Sequence, residues 1–241
     1  MDLSKLIYSI KEASNEQLRN EELFQFIGYC LTNAYQSQSQ NYQDVWALWE
    51  TRNNYTMKYF VEFGATDGKI SSNSYLLEKN YGWSGILAEP NPFWHENLHK
   101  NRSCSIDERC VFSETGQTLE FLMADIADLS TIKGFGTDDE FKSEREKSKS
   151  INVETVSLLD LLDAYNAPNV IDYMSVDTEG SEYGILNAFF MQSNGKYDVK
   201  ALTVEHNYTM RDKLHELMVA NGYKRKFMEI SRWDDFYVKE N

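Results

Sequence analysis

The chain is poor in positive charge, and this shortage argues against two classes of partner. Its 241 residues include 24 Lys and Arg against 38 Asp and Glu, which gives a formal net charge of −14. A nucleic-acid binder normally presents a basic patch, and no Lys- or Arg-rich run with interleaved aromatic residues compensates here. An acidic surface is also poorly suited to anionic membranes. We therefore expect neither nucleic acid nor a membrane as a partner.

Long apolar runs and paired cysteines are also missing. No stretch is long enough to span a bilayer, and the first residues lack the shape of a signal peptide because charge interrupts their short apolar run. The three cysteines, Cys30, Cys104 and Cys110, are odd in number and lack the spacing of a metal site. These features predict a cytoplasmic protein with reduced thiols. The 41% hydrophobic fraction is enough to fill the core of one domain.

Hydrophobic periodicity divides the chain at about residue 55. Residues 1–55 show apolar stripes at helical spacing and predict a helical cap, which would pack on the sheet, gate the substrate or join copies into a homo-oligomer. The first stripe consists of Leu3, Leu6, Ile7 and Ile10. In residues 56–241 strands alternate with helices, which predicts a mainly parallel sheet with right-handed crossovers. Residues 124–150 break this alternation with a mostly charged run, and they predict either a solvated loop or a lid.

Five segments of the second part carry specific strand predictions. Residues 105–112 predict the third strand, centred near residues 110–112, and residues 118–123 predict an extra strand. A short β-branched strand is expected over residues 153–156. Residues 223–230 and 235–239 predict a closing antiparallel pair.

The segment of residues 59–68, YFVEFGATDG, predicts a strand followed by a tight glycine turn that opens into a helix. Such turns hold cofactors in α/β folds. A dinucleotide loop usually has three glycines spaced GxGxxG, but only Gly64 and Gly68 are present here. No Lys-Ser or Lys-Thr pair follows in phosphate-loop register. The loop therefore does not fit a phosphate-bearing ligand well.

Acidic residues around this loop favour a cationic cofactor instead. Glu62 lies at the strand end and Asp67 in the loop, while Glu89 ends the second strand about 20 residues later, where a ribose-binding acid is expected. Carboxylates suit an ammonium, a sulfonium and ribose hydroxyls, which S-adenosylmethionine combines. Polar side chains at the start of the next helix would hold its methionine carboxylate together with helix N–H groups. They belong to Ser72, Asn73 and Ser74.

Several motifs in order resemble the FkbM family of S-adenosylmethionine-dependent methyltransferases, over about residue 59 to the C-terminus. They are residues 60–68 (FVEFGATDG), 72–74 (SNS), 82–92 (GWSGILAEPNP), 156–162 (VSLLDLL) and 177–182 (DTEGSE). The family's second motif normally ends in Asn-Thr, and Ser74 keeps that hydroxyl. The resemblance implies an α/β, Rossmann-like class I methyltransferase with a mostly parallel seven-stranded sheet and an antiparallel C-terminal hairpin. It also implies O-methylation, often of sugars or of hydroxyl groups on natural products, and it places Cys110 and Val111 beside the adenine.

Catalytic residues are expected where the fourth and fifth strands end. Asp177, which would also contact the cofactor, follows the apolar run before it, and Glu205 and His206 end the fifth strand. His206 or Asp177 would serve as general base for an acceptor hydroxyl. Alternatively, Asp177 and Glu205 with His206 or Asn207 would bind Mg²⁺ or Mn²⁺, which lowers the pKa of that hydroxyl.

Two other functions remain open at this stage. An NAD-linked oxidoreductase on a similar sheet is disfavoured by the missing glycine and by the acids of the loop. A non-catalytic module that kept the cofactor site is disfavoured because the acids and glycines are all present. The main hypothesis is an O-methyltransferase acting on a sugar, a glycan or a glycosylated small molecule.

Overall fold

The computed structural model describes residues 21–52, 57–124, 130–135, 148–206 and 209–240, and in them the chain forms seven helices and eleven strands. The helices are α1 (Glu22–Asn33), α2 (Gln43–Thr51), α3 (Tyr75–Tyr81), α4 (Pro92–Asn101), α5 (Leu158–Ala164), α6 (Glu182–Gln192) and α7 (Arg211–Ala220). The strands are β1 (Tyr59–Phe63), β2 (Ser84–Ala88), β3 (Ser105–Asp107), β4 (Cys110–Phe112), β5 (Thr118–Met123), β6 (Thr131–Ile132), β7 (Lys149–Ser157), β8 (Val170–Val176), β9 (Asp198–Glu205), β10 (Tyr223–Lys226) and β11 (Asp234–Lys239).

Seven strands form the main sheet, in the order β10-β11-β9-β8-β1-β2-β3. β1 pairs in parallel with both β2 and β8, and β3 and β9 extend the sheet in parallel on either side. β11 runs antiparallel between β9 and β10. The seven-stranded, mostly parallel sheet with a C-terminal hairpin is therefore confirmed. The strand order reverses beside β1, and open α/β sheets bind ligands at the carboxyl edge next to such a point.

Helices cover both faces of this sheet. Side chains alternate along β1, so Val61 and Phe63 join the hydrophobic cluster that includes residues of α5, α6 and α7, whereas Phe60 joins the cluster that includes residues of α1 to α4. Glu62, between Val61 and Phe63, therefore projects toward the same side as Phe60. Two apolar faces covered by helices give the three-layer arrangement expected of a parallel sheet.

A second sheet corrects the prediction for strand three. Residues 105–112 were expected to form one strand, but β3 stays in the main sheet and β4 pairs with β7 in a four-stranded sheet of order β4-β7-β5-β6. The chain turns between them because the Asp107 carboxylate accepts hydrogen bonds from the Arg109 backbone N–H and its guanidinium. An Asp that bonds the backbone two residues ahead favours a turn over a continuous strand.

Two other strand predictions had the wrong length. β7 is nine residues long rather than four, because it pairs along its length with β5 as well as with β4. β10 ends at Lys226 rather than near residue 230, because Phe227 has a left-handed φ of 54° and its carbonyl accepts the Ile230 N–H in a turn. Pairing with two other strands therefore set the length of β7, and a local turn set the end of β10.

Helix α2 packs more deeply than a surface cap would. Val45, Trp46 and Ala47 are fully buried, and Trp46 contacts Tyr173 of β8 and Phe236 of β11 edge-to-face. The division at residue 55, and a gating or oligomer-forming role for the N-terminal helices, stay predictions. The first apolar stripe, in residues 1–20, lies outside the described residues, as does most of the predicted lid in residues 124–150.

Within the described part of the chain, no helix has both the length and the apolar character needed to cross a membrane.

Candidate active site

The loop after β1 needs glycine at two positions, Gly64 and Gly68. Gly64 has a φ of 67°, and a Cβ there would lie 2.2 Å from the backbone oxygen of Asp177. Gly68 has a φ of 74°, and a Cβ there would lie 2.6 Å from side-chain atoms of Leu98 and Arg102. Both positions therefore need glycine because the protein's own chain approaches closely. The loop after β1 is thereby held directly against the end of β8.

Glu62 holds the segment that leads from the loop into α3. Its buried carboxylate accepts hydrogen bonds from Ser72 Oγ at 3.0 Å, from the Asn73 N–H at 2.7 Å and from Ser74 Oγ. Arg102 adds an ion-pair contact at 3.7 Å. Of the residues predicted to hold the methionine carboxylate, Ser72 and Ser74 thus bond to Glu62 through their hydroxyls and Asn73 through its backbone N–H. Their direct contact with a cofactor stays a prediction, and their visible effect is to fix the loop.

Asn73 presents an acceptor that the protein leaves unused. Its Nδ2 donates to Ser175 Oγ at 2.9 Å, which fixes the amide, while its Oδ1 is buried and has no hydrogen-bond partner. Buried polar atoms are normally hydrogen-bonded, so we expect a ligand to donate a hydrogen bond to this oxygen. An ammonium group offers three N–H donors and would satisfy it. The residue therefore fits the amino group of a methionine-type cofactor better than its carboxylate.

Asp67 and Glu89 are held by backbone N–H groups on either side of the loop. Asp67 Oδ1 accepts from Lys69 and Ile70 at 2.8 and 2.7 Å, which closes the turn. Glu89 Oε2 accepts from Thr66 at 2.9 Å, and its Oε1 accepts from Asn91 at 2.7 Å. Glu89 therefore stands at the end of β2 with its orientation fixed against the loop, as a ribose-binding acid would require.

Cys110 and Val111 lie in the second sheet rather than in the main one. Burial raises the pKa of Cys110 to about 12, and the charge of Glu89 adds to this effect. The thiol is therefore an inert, neutral group next to Glu89. Val111 is 3% exposed and packs in the same cluster as Phe63 and Ala88. Both residues are near the ends of β1 and β2, and adenine contact stays a prediction for them.

Three carboxylates meet where β8 and β9 end. Asp177, Glu179 and Glu205 can place carboxylate oxygens within 4.8 Å of one another. The Glu179 N–H donates to Glu205 Oε2 at 3.1 Å, and Glu179 has a left-handed φ of 58°. A non-glycine residue in this conformation is strained, and such strain occurs most often at functional sites.

The acids of this cluster disfavour one another's charged forms. Burial raises the pKa of Asp177 well above its usual value, and repulsion from Glu179 and Asp234 adds to it, although a hydrogen bond with Glu205 works in the opposite direction. Burial likewise raises the pKa of Glu205, with Asp177 as the next largest cause. A carboxylate with a raised pKa is a stronger base, once ionised, than an ordinary exposed Asp or Glu, which suits a proton acceptor.

His206 does not join these acids. It follows Glu205 directly and projects to the other side, where its Nε2 lies 3.5 Å from Ser231 Oγ and 3.9 Å from Asp235 Oδ1. Burial lowers the pKa of His206, while Asp235 opposes that shift. The ligand set of Asp177, Glu205 and His206 is therefore not the set that the structure brings together, since Glu179 occupies the third position. Asn207, the alternative ligand, lies outside the described residues.

Sequence reasoning missed two contributors to this edge. Glu179 is not among the site residues predicted above, and the acid that supports the turn before α6 is Glu182, which accepts the Thr178 and Gly180 N–H groups. Asp234 was not considered, because its proximity to Glu205 arises from the antiparallel pairing of β11 with β9. An acid at the first position of the last strand was the one sequence feature that could have suggested it.

The parallel sheet with its reversed order beside β1, and the acidic edge next to a glycine loop, define a Rossmann-like class I methyltransferase. The chain matches the methyltransferase FkbM domain over residues 62–228, which is most of its length, and it belongs to that family. S-adenosylmethionine is the cofactor that the family and the fold imply, and the unused oxygen of Asn73 and the carboxylate of Glu89 fit its ammonium and ribose. No curated protein sequence matches the chain.

Solved structures with a similar fold are only distantly related in sequence. A precorrin-6y C5,15-methyltransferase from Geobacter metallireducens GS-15 is 13% identical with a TM-score of 0.40, and the alignment covers 81% of this chain and 85% of that one. The N-terminal domain of human METTL16 is 12% identical with a TM-score of 0.40, covering 80% and 66%. A methyltransferase from Pyrococcus furiosus is 10% identical with a TM-score of 0.40, covering 81% of each chain. The family assignment rests on the domain match alone.

Proposed function

We propose that the protein is an S-adenosylmethionine-dependent O-methyltransferase whose acceptor is a hydroxyl group of a sugar or glycan. The observation that supports this most is that the carboxylates of Asp177 and Glu205 lie together at the sheet edge, next to the cofactor loop. The contact between Gly64 and the Asp177 backbone oxygen joins the cofactor loop to this edge of the sheet. An acceptor bound at this edge lies beside both the cofactor and a proton acceptor.

When bound, S-adenosylmethionine would supply an electrophilic sulfonium methyl group for transfer to the acceptor oxygen. The chain's own residues must align the acceptor and remove its proton. A sugar hydroxyl is a poor nucleophile while protonated, so a carboxylate of Asp177 or Glu205 takes up that proton as the new bond forms. His206 remains a predicted base, but its position on the other face of β9 favours the acids.

The identity of the acceptor is supported by two arguments. The edge offers mainly hydrogen-bond acceptors, and sugar hydroxyls are donors that such a set can orient. The FkbM motifs of residues 60–92 and 177–182 also resemble enzymes that methylate sugars and natural products. The alternative predicted from the sequence, Mg²⁺ or Mn²⁺ bound by Asp177 and Glu205 with His206 or Asn207, would instead lower the pKa of the acceptor hydroxyl.

The family assignment affects the two alternative functions differently. Membership of a methyltransferase family disfavours the NAD-linked oxidoreductase. A non-catalytic cofactor-binding module would have the same fold and the same cofactor residues, so only turnover separates it from an enzyme.

The experiment is transfer of a labelled methyl group from S-adenosylmethionine to a polysaccharide and metabolite extract, followed by mass spectrometry of the labelled product. We expect label in an ether-linked methyl group on a sugar oxygen. Glu205→Gln should abolish transfer while the protein still binds S-adenosylhomocysteine. Asp198→Asn, at the exposed opposite end of β9, should leave transfer unchanged. Label on nitrogen or carbon would overturn O-methylation, and binding without transfer to any acceptor would favour the non-catalytic module.

A further inference from the structure

A fourth carboxylate, from the antiparallel strand β11, joins the acidic edge. Asp234 is the Cα partner of Glu205 in the β11–β9 ladder. Directly opposed residues project from the same face, with Cβ atoms about 5 Å apart. Asp234 is only 3% exposed, and it interacts electrostatically with both Asp177 and Glu205. It is therefore a buried neighbour of the cluster, on the same face as Glu205.

One oxygen of Asp234 is unused by the protein. Gln43 Nε2 donates to its Oδ2 at 2.8 Å, while Oδ1 is buried and has no hydrogen-bond partner. The amide of Gln43 is itself fixed, because its Oε1 accepts the Asn41 N–H at 2.8 Å. A buried carboxylate oxygen without a donor is unfavourable unless a positive charge stands next to it. This oxygen is evidence for a cationic ligand that is independent of the three clustered acids.

We propose that Asp177, Glu179 and Glu205 bind a divalent cation, with Asp234 as the buried fourth carboxylate that completes the negative charge of the site. The three ligand oxygens lie within 4.8 Å of one another. This spacing suits a single ion, because metal–oxygen bonds of about 2.0–2.6 Å place oxygens on opposite sides of an ion about 4–5 Å apart. A ligand set made only of carboxylate oxygens selects a hard ion such as Mg²⁺, Mn²⁺ or Ca²⁺. Water or the acceptor hydroxyl would complete the coordination.

The catalytic consequence rests on the proposed function, although binding of the ion does not. A cation at this position would lower the pKa of a coordinated acceptor hydroxyl. Its positive charge would also offset the mutual repulsion of Asp177, Glu179 and Glu205.

The test uses the full chain after treatment with a chelator, and it measures binding of Mn²⁺ from the electron paramagnetic resonance signal of the free ion. We expect one saturable site per chain. Glu205→Gln removes a ligand, and Asp234→Asn removes the supporting charge while keeping an oxygen for Gln43. Each substitution should lower the affinity for Mn²⁺ roughly tenfold or more. The matched control Asp198→Asn lies on the same strand as Glu205 but is exposed, and it should bind Mn²⁺ like the wild type.

The outcomes separate this proposal from the proposed function. No saturable Mn²⁺ binding at millimolar concentration would overturn it, and so would wild-type affinity in both Glu205→Gln and Asp234→Asn. Binding of S-adenosylhomocysteine is measured in parallel in the presence of chelator, and it reports folding and the cofactor site independently. A chain that binds Mn²⁺ but transfers no methyl group would support the cation site and contradict the methyltransferase activity.

Discussion

Gly64 and Asp177 meet across the point where the strand order reverses: a Cβ on Gly64 would lie 2.2 Å from the Asp177 backbone oxygen. The Gly64 N–H donates to the carbonyl of Ala88 at 3.1 Å, so the same residue ties the ends of β1, β2 and β8 together. The cofactor loop and the acidic edge are therefore in direct contact through Gly64. This contact explains why the first glycine of the loop is needed even though the usual three-glycine pattern is absent.

Replacing Gly64 by alanine should destabilise the fold through both backbone strain and overlap. A left-handed φ costs about 1–2 kcal/mol for a residue with a Cβ, and overpacking costs about 1–3 kcal/mol more. We expect Gly64→Ala to lower the free energy of unfolding by about 2–5 kcal/mol in urea denaturation. Gly82 is a matched control, because its φ is 68° but a Cβ there meets nothing within 4 Å. Equal losses in Gly64→Ala and Gly82→Ala would show that the contact with Asp177 is unimportant.

Glu89 should determine affinity for the ribose. Glu89→Gln replaces a charged acceptor by an amide, whose NH₂ group would face the N–H of either Thr66 or Asn91. Hydrogen bonds to charged groups contribute about 1.5–3 kcal/mol, so affinity for S-adenosylhomocysteine should fall roughly ten- to hundredfold in calorimetry. Glu96→Gln, on the exposed side of α4, should not change it. Unaltered binding by Glu89→Gln would remove Glu89 from the cofactor site.

Asn73 should matter more for binding than for folding. In Asn73→Ala the unused Oδ1 is lost together with the hydrogen bond to Ser175, which contributes about 1 kcal/mol to stability. Affinity for S-adenosylhomocysteine should fall about tenfold or more, because its ammonium loses a buried acceptor. Ser175→Ala keeps the oxygen and removes only the bond that orients the amide, so it should weaken binding less. An affinity loss no larger than that of Ser175→Ala would argue against a contact between Asn73 and the ammonium.

The ion pair of Glu78 with Arg102 should make stability depend on acidic pH. Burial opposes the charged form of Glu78, but the Arg102 guanidinium, 2.5 Å away, outweighs it and lowers the pKa to about 2. A depressed folded-state pKa means that this stabilisation is complete above the unfolded value of about 4.3 and is lost as the pH falls towards 2. Glu78→Gln should cost about 3 kcal/mol at neutral pH, since it leaves a buried guanidinium without one of its partners.

The measurement for Glu78 is the difference in unfolding free energy between wild type and Glu78→Gln at several pH values. That difference should shrink below about pH 4, because Glu78 of the unfolded wild type binds a proton there while the folded carboxylate stays ionised until about pH 2. Asp160→Asn, on α5, gives a comparison at a carboxylate outside this pair. A difference that is constant down to pH 2 would contradict the role of the ion pair.

The sequence by itself determined the cofactor loop and the order of the elements around it. Short, nearly continuous apolar runs alternate with stripes of period 3.6, and these local patterns predict a parallel sheet from residue 59 onwards. Gly64, Gly68 and Glu89 could be placed because their spacing follows from the length of a strand, a turn and a helix. The FkbM motifs were sufficient to predict the family, and the match over residues 62–228 confirmed it.

Only the tertiary structure decided which acids share a site and which strands share a sheet. Glu205 and His206 are neighbours in sequence, yet side chains alternate along a strand, so His206 faces Ser231 and Glu205 faces Asp177. Asp234 lies beside Glu205 through a long-range antiparallel ladder, which no local pattern encodes. β4 leaves the main sheet because it pairs with β7, more than 40 residues later in the chain. Contacts between residues far apart in sequence depend on how the elements pack, and that packing determined the composition of the acidic edge.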